Sequence, residues 1–514
     1  MVGGQVSGGS NTGGLVGAVL GTTQNAGVIT NSSSVGTTVE GVGNPVGGLV
    51  GYLDHGQILN SFSDNIVKPA ADQSATNVGG LAGAVAGAST ISKSHSSSEV
   101  SGNSFVGGLV GSLVEASSIE ESYSVPTVSG TSVIGGLVGQ LNGSTITNSY
   151  SALGTVSGSD GFSGKQHIGG LIGNIRSPAA DMVTNSYAAN KVTGSGDNIG
   201  GLVGGFDSSV SSSSNFASFA RSSYWDTSYS EVTVSGTGVG KSILEMLNPA
   251  TFVGWDTDTI WTIDGANYPY LQGNSPATAD LPAPPPSLLP VCPADMEGNG
   301  GALTPCEITN WTELAAMATE PTYSYILMND LTASSAGYSD NWSPIGAIEL
   351  ELNPAPVSLI TDESFSGQFD GNDKKISGLV IDRADTDSVG LFGAIGPGGI
   401  VKDLEIVDAT VEGKDWVGIV AGMNYGTISN VAVSGVALGN NNVGGIAGRQ
   451  GGLARIDGES GPAIPYNAGL IDQSAAEVVV TGVNRVGGLV GQMVTGQLLD
   501  SSAMGDVTGS GFSV

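Results

Sequence analysis

The sequence predicts an all-β chain: a parallel β-solenoid, or β-helix, in two stacked-coil arrays with small mixed α/β caps. Three observations carry this expectation. A unit of the form Gly-Gly-Leu-Val-Gly starts at Gly13, Gly47, Gly79, Gly107, Gly135, Gly169 and Gly200, in steps of 34, 32, 28, 28, 34 and 31 residues. A fixed period of this length marks repeat architectures. Behind each copy comes a segment of alternating character, such as Ile146-Thr147-Asn148-Ser149-Tyr150, and then a short stretch ending on glycine, such as Thr155-Val156-Ser157-Gly158. Period-two alternation with β-branched residues and glycine punctuation marks strands, not helices. The 514 residues include 83 Gly yet remain 39% hydrophobic, which sets the chain apart from a disordered Gly/Ser linker.

Three short strands per unit make one solenoid coil. A single coil buries too few apolar side chains to offset the ordering of its backbone, so neighbours must supply both ladder hydrogen bonds and core. Successive coils should then lie about 4.8 Å apart, the spacing of paired strands. In Ile146–Tyr150 the residues Ile146, Asn148 and Tyr150 share a face, taken as inward. The aromatic column then reads Phe62, His95, Tyr123, Tyr150 and Tyr187, a stacked ladder. The column Asn31, Asn60, Lys93, Glu121, Asn148 and Asn185 fits an Asn ladder at a corner, broken by two charges that must reach solvent. Thr147, Ser149 and Ser151 fall on the outward face. An ice-like hydroxyl lattice there is opposed by the interruptions at Leu59 and Glu120. Within Val46-Gly47-Gly48-Leu49-Val50-Gly51 two readings stay open. Either Val46 and Val50 form an outward apolar stripe, or a glycine bulge turns both sets inward.

Residues 1–223 form the first array. Residues 224–272 change character, with Tyr224-Trp225-Asp226, Gly254-Trp255-Asp256, Ile260-Trp261 and Tyr268-Pro269-Tyr270-Leu271, and read as a C-terminal cap. A short helix is expected at Ser242–Leu247 with a Ser242/Glu245 capping box. Residues 273–290 are a Pro-rich linker. Residues 291–376 read as an N-terminal cap. There Asn310-x-x-Glu313 opens a helix with Leu314 and Met317 on one face, and strands follow near Tyr325–Met328 and Phe365–Phe369. The second array occupies 377–514, with copies of the glycine unit at Gly390, Gly418, Gly444 and Gly487. It carries an insertion at Arg449–Leu470 that contains the loop Asp457-Gly458-Glu459-Ser460-Gly461. Both termini fall in mid-array, as in a slice of a longer tandem protein.

The unit Val-Gly-Gly-Leu-Val-Gly … Ile-x-Asn-Ser-Tyr … Val-x-Gly, seen at 134–158 with Ile134 in its first position, resembles the GLUG motif of bacterial secreted and surface proteins, filamentous-haemagglutinin-like adhesins among them. The elements Tyr224-Trp225-Asp226 and Tyr268-Pro269-Tyr270-Leu271 resemble the segment that closes such arrays. The run Trp342-Ser343-Pro344-Ile345-Gly346 … Phe365-Ser366-Gly367-Gln368-Phe369 … Gly390-Leu391-Phe392-Gly393 resembles the segment that opens one. The resemblance covers nearly the whole chain and implies an extracellular or cell-surface scaffold that presents binding surfaces to glycans or cell-surface proteins. Some IgA-cleaving metallopeptidases carry such regions, but no His-Glu-x-x-His zinc motif occurs here, so that activity is not implied. In a secreted protein Cys292 and Cys306, the only cysteines, are expected to form a disulfide that staples the second cap, with two buried thiols as the alternative.

Function classes narrow accordingly. Fifteen Lys and Arg against 46 Asp and Glu leave a net charge of −31, so no nucleic-acid partner is expected. No apolar run approaches a membrane span. An adhesin-type scaffold without enzymatic activity is expected, ahead of a filament subunit polymerising through open solenoid ends and of a polysaccharide-active enzyme. For the last, Asp226, Asp256 and Asp264 beside Trp225, Trp255 and Trp261 are the candidate carboxylates and sugar-stacking rings, against plain cap packing. No cofactor is expected. Asp370-Gly371-Asn372-Asp373 and, more weakly, Asp295-x-Glu297-Gly298-Asn299 offer oxygen ligands for calcium, against β-turn readings. His95 reads as a packed ladder residue and His55 as a solvated turn residue.

Overall fold

A computed structural model describes the chain except residues 1, 72–73, 160–165, 196–197, 208–217, 275–280, 347–357, 360–363, 452–453, 456–468 and 512–514. It is a parallel β-solenoid of about 15 turns, 52% strand and 6% helix. The chain divides into two compact units, Met1–Leu289 and Pro290–Val514.

The first unit carries four strands per coil where the repeat predicts three. In one coil these are Val133–Gly135, Val138–Asn142, Thr145–Thr147 and Tyr150–Gly158. They belong to four separate sheets, three of seven strands and one of eleven. Equivalent residues stack in register: Ile119 on Ile146 on Val183, and Val110 on Val138 on Ile172. The fourth strand arises because the alternating segment breaks at Asn148, whose φ is +47°. Asn31, Asn60, Lys93, Glu121, Asn185 and Ser222 take the same left-handed conformation, with φ from 43° to 50°. Asn is the non-glycine residue that tolerates this conformation best, so backbone geometry selects the Asn column. The two charges that interrupt it, Lys93 and Glu121, pair at 3.5 Å near the surface.

That corner overturns the face assignment. Ile146 is fully buried in the lumen, but the left-handed residue shifts the alternation, so Tyr150 points outward and Ser151 inward. Ser149 and Ser151, expected on the outside, are both 0% exposed. Ser149 belongs to a buried hydroxyl column. The amides of Ser61, Ser94, Ser122, Ser149 and Ser186 each donate to the serine Oγ of the next coil, at 3.1–3.3 Å. Each Oγ in turn donates to the carbonyl two residues back, as Ser149 does to Thr147 at 2.8 Å. The column thus satisfies amides that the corner takes out of the strand ladder.

The glycine unit shows the bulge reading; the outward stripe does not exist. Val46, Leu49 and Val50 are all 0% exposed. Val46 joins one core with Val78, Val106 and Ile134, while Leu49 and Val50 join a second with Leu81 and Leu109. Both sets turn inward because the backbone crosses the coil between them on two glycines. A Cβ on Gly80 would collide with the Gly108 carbonyl and with Ser96 Oγ. At the end of the array Trp225 enters the lumen core beside Leu202 and Val203. Helix α1 (Thr227–Ser230) and helix α2 (Ile243–Leu247) follow, α2 with the Ser242/Glu245 capping box.

In the second unit the expected N-terminal cap already carries coil strands. Cys306–Ile308, Ser324–Leu327 and Gln368–Ser377 pair in parallel with Ile400–Glu412 and Thr427–Leu438 in one eleven-stranded sheet. Cys306, Tyr325, Phe369, Val401, Ile428 and Ile471 stack as one buried column. The second strand runs Ser324–Leu327, and Phe365 makes only a single bridge to Ile395. Helix α3 (Trp311–Ala316) is capped by Asn310 and buries Trp311 and Leu314, with Met317 buried just beyond it. The loop Asp457–Gly461 lies outside the described residues.

Gly80→Ala should lower the denaturant midpoint, at a cost of about 2–3 kcal/mol, because a backbone carbonyl cannot move aside. Gly9→Ala, with nothing within 4 Å of the added carbon, should stay within about 0.5 kcal/mol of the parent. Equal midpoints for the two variants would mean that the coils can part at Gly80 without penalty.

Candidate functional site

The aromatic column of the first unit stands on the outer face. Phe62, His95, Tyr123, Tyr150 and Tyr187 stack with centroids 5.0, 4.7, 4.9 and 5.0 Å apart and planes within 5° of parallel. The spacing is that of the coils themselves. The rings are covered by residues 246–274, which run back along the ladder from the last coil. Trp255, Trp261, Tyr268 and Leu271 form one cluster with Tyr123, Tyr150 and Tyr187. Trp255 Nε1 donates to the Ser222 carbonyl at 3.0 Å, and the Tyr187 hydroxyl to the Pro269 carbonyl at 2.7 Å. Further down the ladder, Asn274 donates to the Glu121 carbonyl at 3.3 Å and its Oδ1 lies 3.2 Å from His95 Nδ1. Burial lowers the His95 pKa, with the Asn274 contact opposing. The segment expected to close the last coil therefore does two things: Trp225 fills the lumen, and the remainder straps the side of the solenoid. Its continuation is also folded on this unit, since the Tyr268 amide donates to the Pro282 carbonyl at 2.9 Å.

The candidate carboxylates serve local structure. Asp226 is 0% exposed and accepts from the Ser228 and Tyr229 amides at 2.7 and 3.0 Å as the cap of α1. Its second oxygen accepts from the Tyr268 hydroxyl at 2.6 Å, which ties the strap to the cap. Burial raises the Asp226 pKa, and these hydrogen bonds only partly counter it. Asp256 accepts from Asp258, Thr259 and the Thr259 hydroxyl in its own turn, and Asp264 likewise from Ala266 and Asn267. Trp225 belongs to the lumen core, and Trp255 and Trp261, 6% and 0% exposed, are consumed by the ladder. No ring of this set lies open for a sugar to stack on.

In the second unit Asp370 Oδ1 accepts from the Asn372 amide at 2.8 Å and Oδ2 from the Lys402 ammonium, which also meets Asp403 at 2.9 Å. Asn372 and Asp373 have φ of 52° and 55°, the conformation that selects Asn and Asp in turns. In the weaker turn, Asn299 Oδ1 accepts from the Gly301 amide at 3.0 Å and from the Thr304 hydroxyl. Cys292 and Cys306 are joined in a disulfide and buried in the core with Trp311 and Tyr325. His55 Nδ1 sits 2.6 Å from Asp54 in a half-buried turn. A contact with no repeat signature is Asn174 Nδ2 to His167 Nδ1, at 3.2 Å, on the outer corner between the glycine strand and the next.

No family model matches the chain. A stretch of 154 residues is 38% identical to halomucin of Haloquadratum walsbyi, covering 29% of this chain and 2% of that one. A stretch of 107 residues is 37% identical to a proposed Gly-rich membrane protein of Evansella cellulosilytica, covering 20% of this chain and 11% of that one. The chain therefore spans a small part of the length of these relatives. A crystal structure of a proposed immunoglobulin A1 protease of Bacteroides ovatus aligns over 53% of this chain and 74% of its own, at 21% identity and a TM-score of 0.31. That score gives its activity no bearing here.

A carboxyl whose folded pKa is raised contributes stability below its ordinary pKa and loses it as pH rises through the folded value. Asp226→Asn keeps an acceptor for α1 and abolishes the titration. The parent's denaturant midpoint should therefore fall more steeply than the variant's as pH rises above the ordinary carboxylate range. Parallel profiles would show that Asp226 titrates normally.

Proposed function

We propose that this chain is part of an extracellular, non-enzymatic repeat scaffold of adhesin type, belonging to a large secreted or cell-surface protein. One observation carries the reading. Val39, Val67, Val100, Val128, Val156 and Val192 form an unvarying internal column, while the residues immediately before them on the outer face are Thr38, Ile66, Glu99, Thr127, Thr155 and Lys191. The interior is held to one chemistry and the exterior changes from coil to coil, as expected of a frame that displays surfaces. The GLUG-like unit supports the same reading, as does the similarity to a Gly-rich protein named as a membrane protein. The net charge of −31 favours solubility and disfavours unspecific contact with anionic surfaces. Glycans or cell-surface proteins are the proposed partners.

Titration of the labelled chain onto intact cells and immobilised glycans should give saturable binding, with no release of reducing ends. Asp256→Asn should leave that binding unchanged. Reducing-end release that disappears in Asp256→Asn would replace the scaffold by an enzyme.

Head-to-tail self-assembly is the second reading. It is favoured by the parallel pairing of coil on coil along the first unit, an arrangement that a second copy can extend. Electron microscopy over a concentration series should show filaments that lengthen with concentration if this reading holds. Unchanging single particles would end it.

A further inference from the structure

Both units turn the same left-handed corner, but the outward column that follows it differs between them. In the first unit the residues two beyond the corner are Phe62, His95, Tyr123, Tyr150 and Tyr187, the aromatic ladder. In the second unit the left-handed residues are Asp403, Asn430, Gln473 and Asp500, with φ from 41° to 53°. The residues two beyond them are Glu405, Ala432, Ala475 and Ser502, stacked coil on coil in one register. The buried serine column continues beside them. The amides of Val431 and Ser474 donate to the Oγ of Ser474 and Ser501 at 3.2 and 3.0 Å. The two faces are therefore equivalent, and one has lost its rings.

An open groove of about 220 Å³ lies on this face of the second unit. The column lines it together with Ser434, Glu477 and Met504, which also follow one another coil on coil. It crosses four adjoining strands, about 14 Å at the spacing of paired strands. Those strands are hydrogen-bonded side by side across it, so a ligand enters with side chains and not as an added strand. Ala432, Ala475 and Glu477 are exposed, whereas Tyr150 and Tyr187 lie buried beneath the strap. Among the described residues Glu477 makes no ion pair, while Glu405 meets Lys375 at 2.8 Å.

We infer that this groove docks a peptide of a partner protein that presents an aromatic side chain beside a lysine or arginine. Size and precedent point to the ring. A cavity of roughly 150 Å³ suffices for a benzene ring, so the groove takes one aromatic side chain. On the equivalent face of the first unit the cover is itself a peptide, which seats Trp255, Trp261 and Tyr268 against the wall. There the wall adds its own rings; here it is cut back to alanine, and the partner supplies the ring. The Met504 thioether is a favourable neighbour for a ring edge. Charge points to the cation. Glu477 is exposed and unpaired at the groove, and the net charge of −31 steers cationic partners in and acidic ones away. The inference rests on the scaffold reading for its biological setting only.

Fluorescence anisotropy of a labelled Gly-Lys-Trp-Lys-Gly peptide titrated with the full chain tests it without cells, so its failure would leave the scaffold reading in place. Saturable binding is expected. Replacing the peptide's tryptophan by alanine should weaken it roughly tenfold or more. Replacing both lysines by glutamate should abolish it. Ala475→Tyr restores to the column the residue type of Tyr150 and fills the groove, so it should abolish binding. Glu477→Gln should weaken binding roughly twofold to fivefold at low salt, and it decides the matter if Ala475→Tyr does not fold. Thr155→Ala, exposed on the first unit, should bind as the parent does. No saturable binding, equal binding of the three peptides, or undiminished binding in the groove variants would overturn the site. So would a dimer in sedimentation that Ala475→Tyr dissociates, since the groove would then belong to a second copy.

Discussion

Stacked coils in this protein approach each other backbone to backbone at the paired glycines, with no room for a side chain between them. At Gly80 the neighbour is the Gly108 carbonyl, and the same approach recurs at Gly108 and Gly136 towards the coils that follow them. Once that distance is set by strand pairing, every other column must repeat at it. Valines stack on valines, serine hydroxyls on the amides of the coil before, and aromatic rings at 4.7–5.0 Å. The glycines also let the backbone cross the coil, which is why Val46 and Leu49 feed two cores instead of two faces.

The second constraint is the left-handed corner. It converts a five-residue alternation into two strands of different sheets and reverses which residues face solvent. The polar groups freed there are taken up by the buried serine column, so the corner leaves few amides unmet. The reversal also places the aromatic ladder outside, where it would be an exposed apolar strip. The strap of residues 246–274 covers it and spends the tryptophans that otherwise resemble a sugar platform. Carboxylates next to those tryptophans are spent in the same way, as caps and turn acceptors.

Periodicity alone determined the parallel solenoid, the columns that stack and the aromatic ladder, because a repeat must bury the same face in each copy. The short helix at Ser242 and the cap at Asn310 were also legible, since capping is a local exchange between a side chain and the next turn. Tertiary structure decided which side of the wall each column occupies. A single left-handed residue inverts the alternation without changing its pattern, so Tyr150 and Ser151 read equally well either way. It likewise decided that Asp226, Trp255 and Trp261 serve the strap, because their partners Tyr268, Ser222 and Asn148 lie 33 to 113 residues away. Contacts at that distance are set by where the coils place the chain, and local composition carries no record of them.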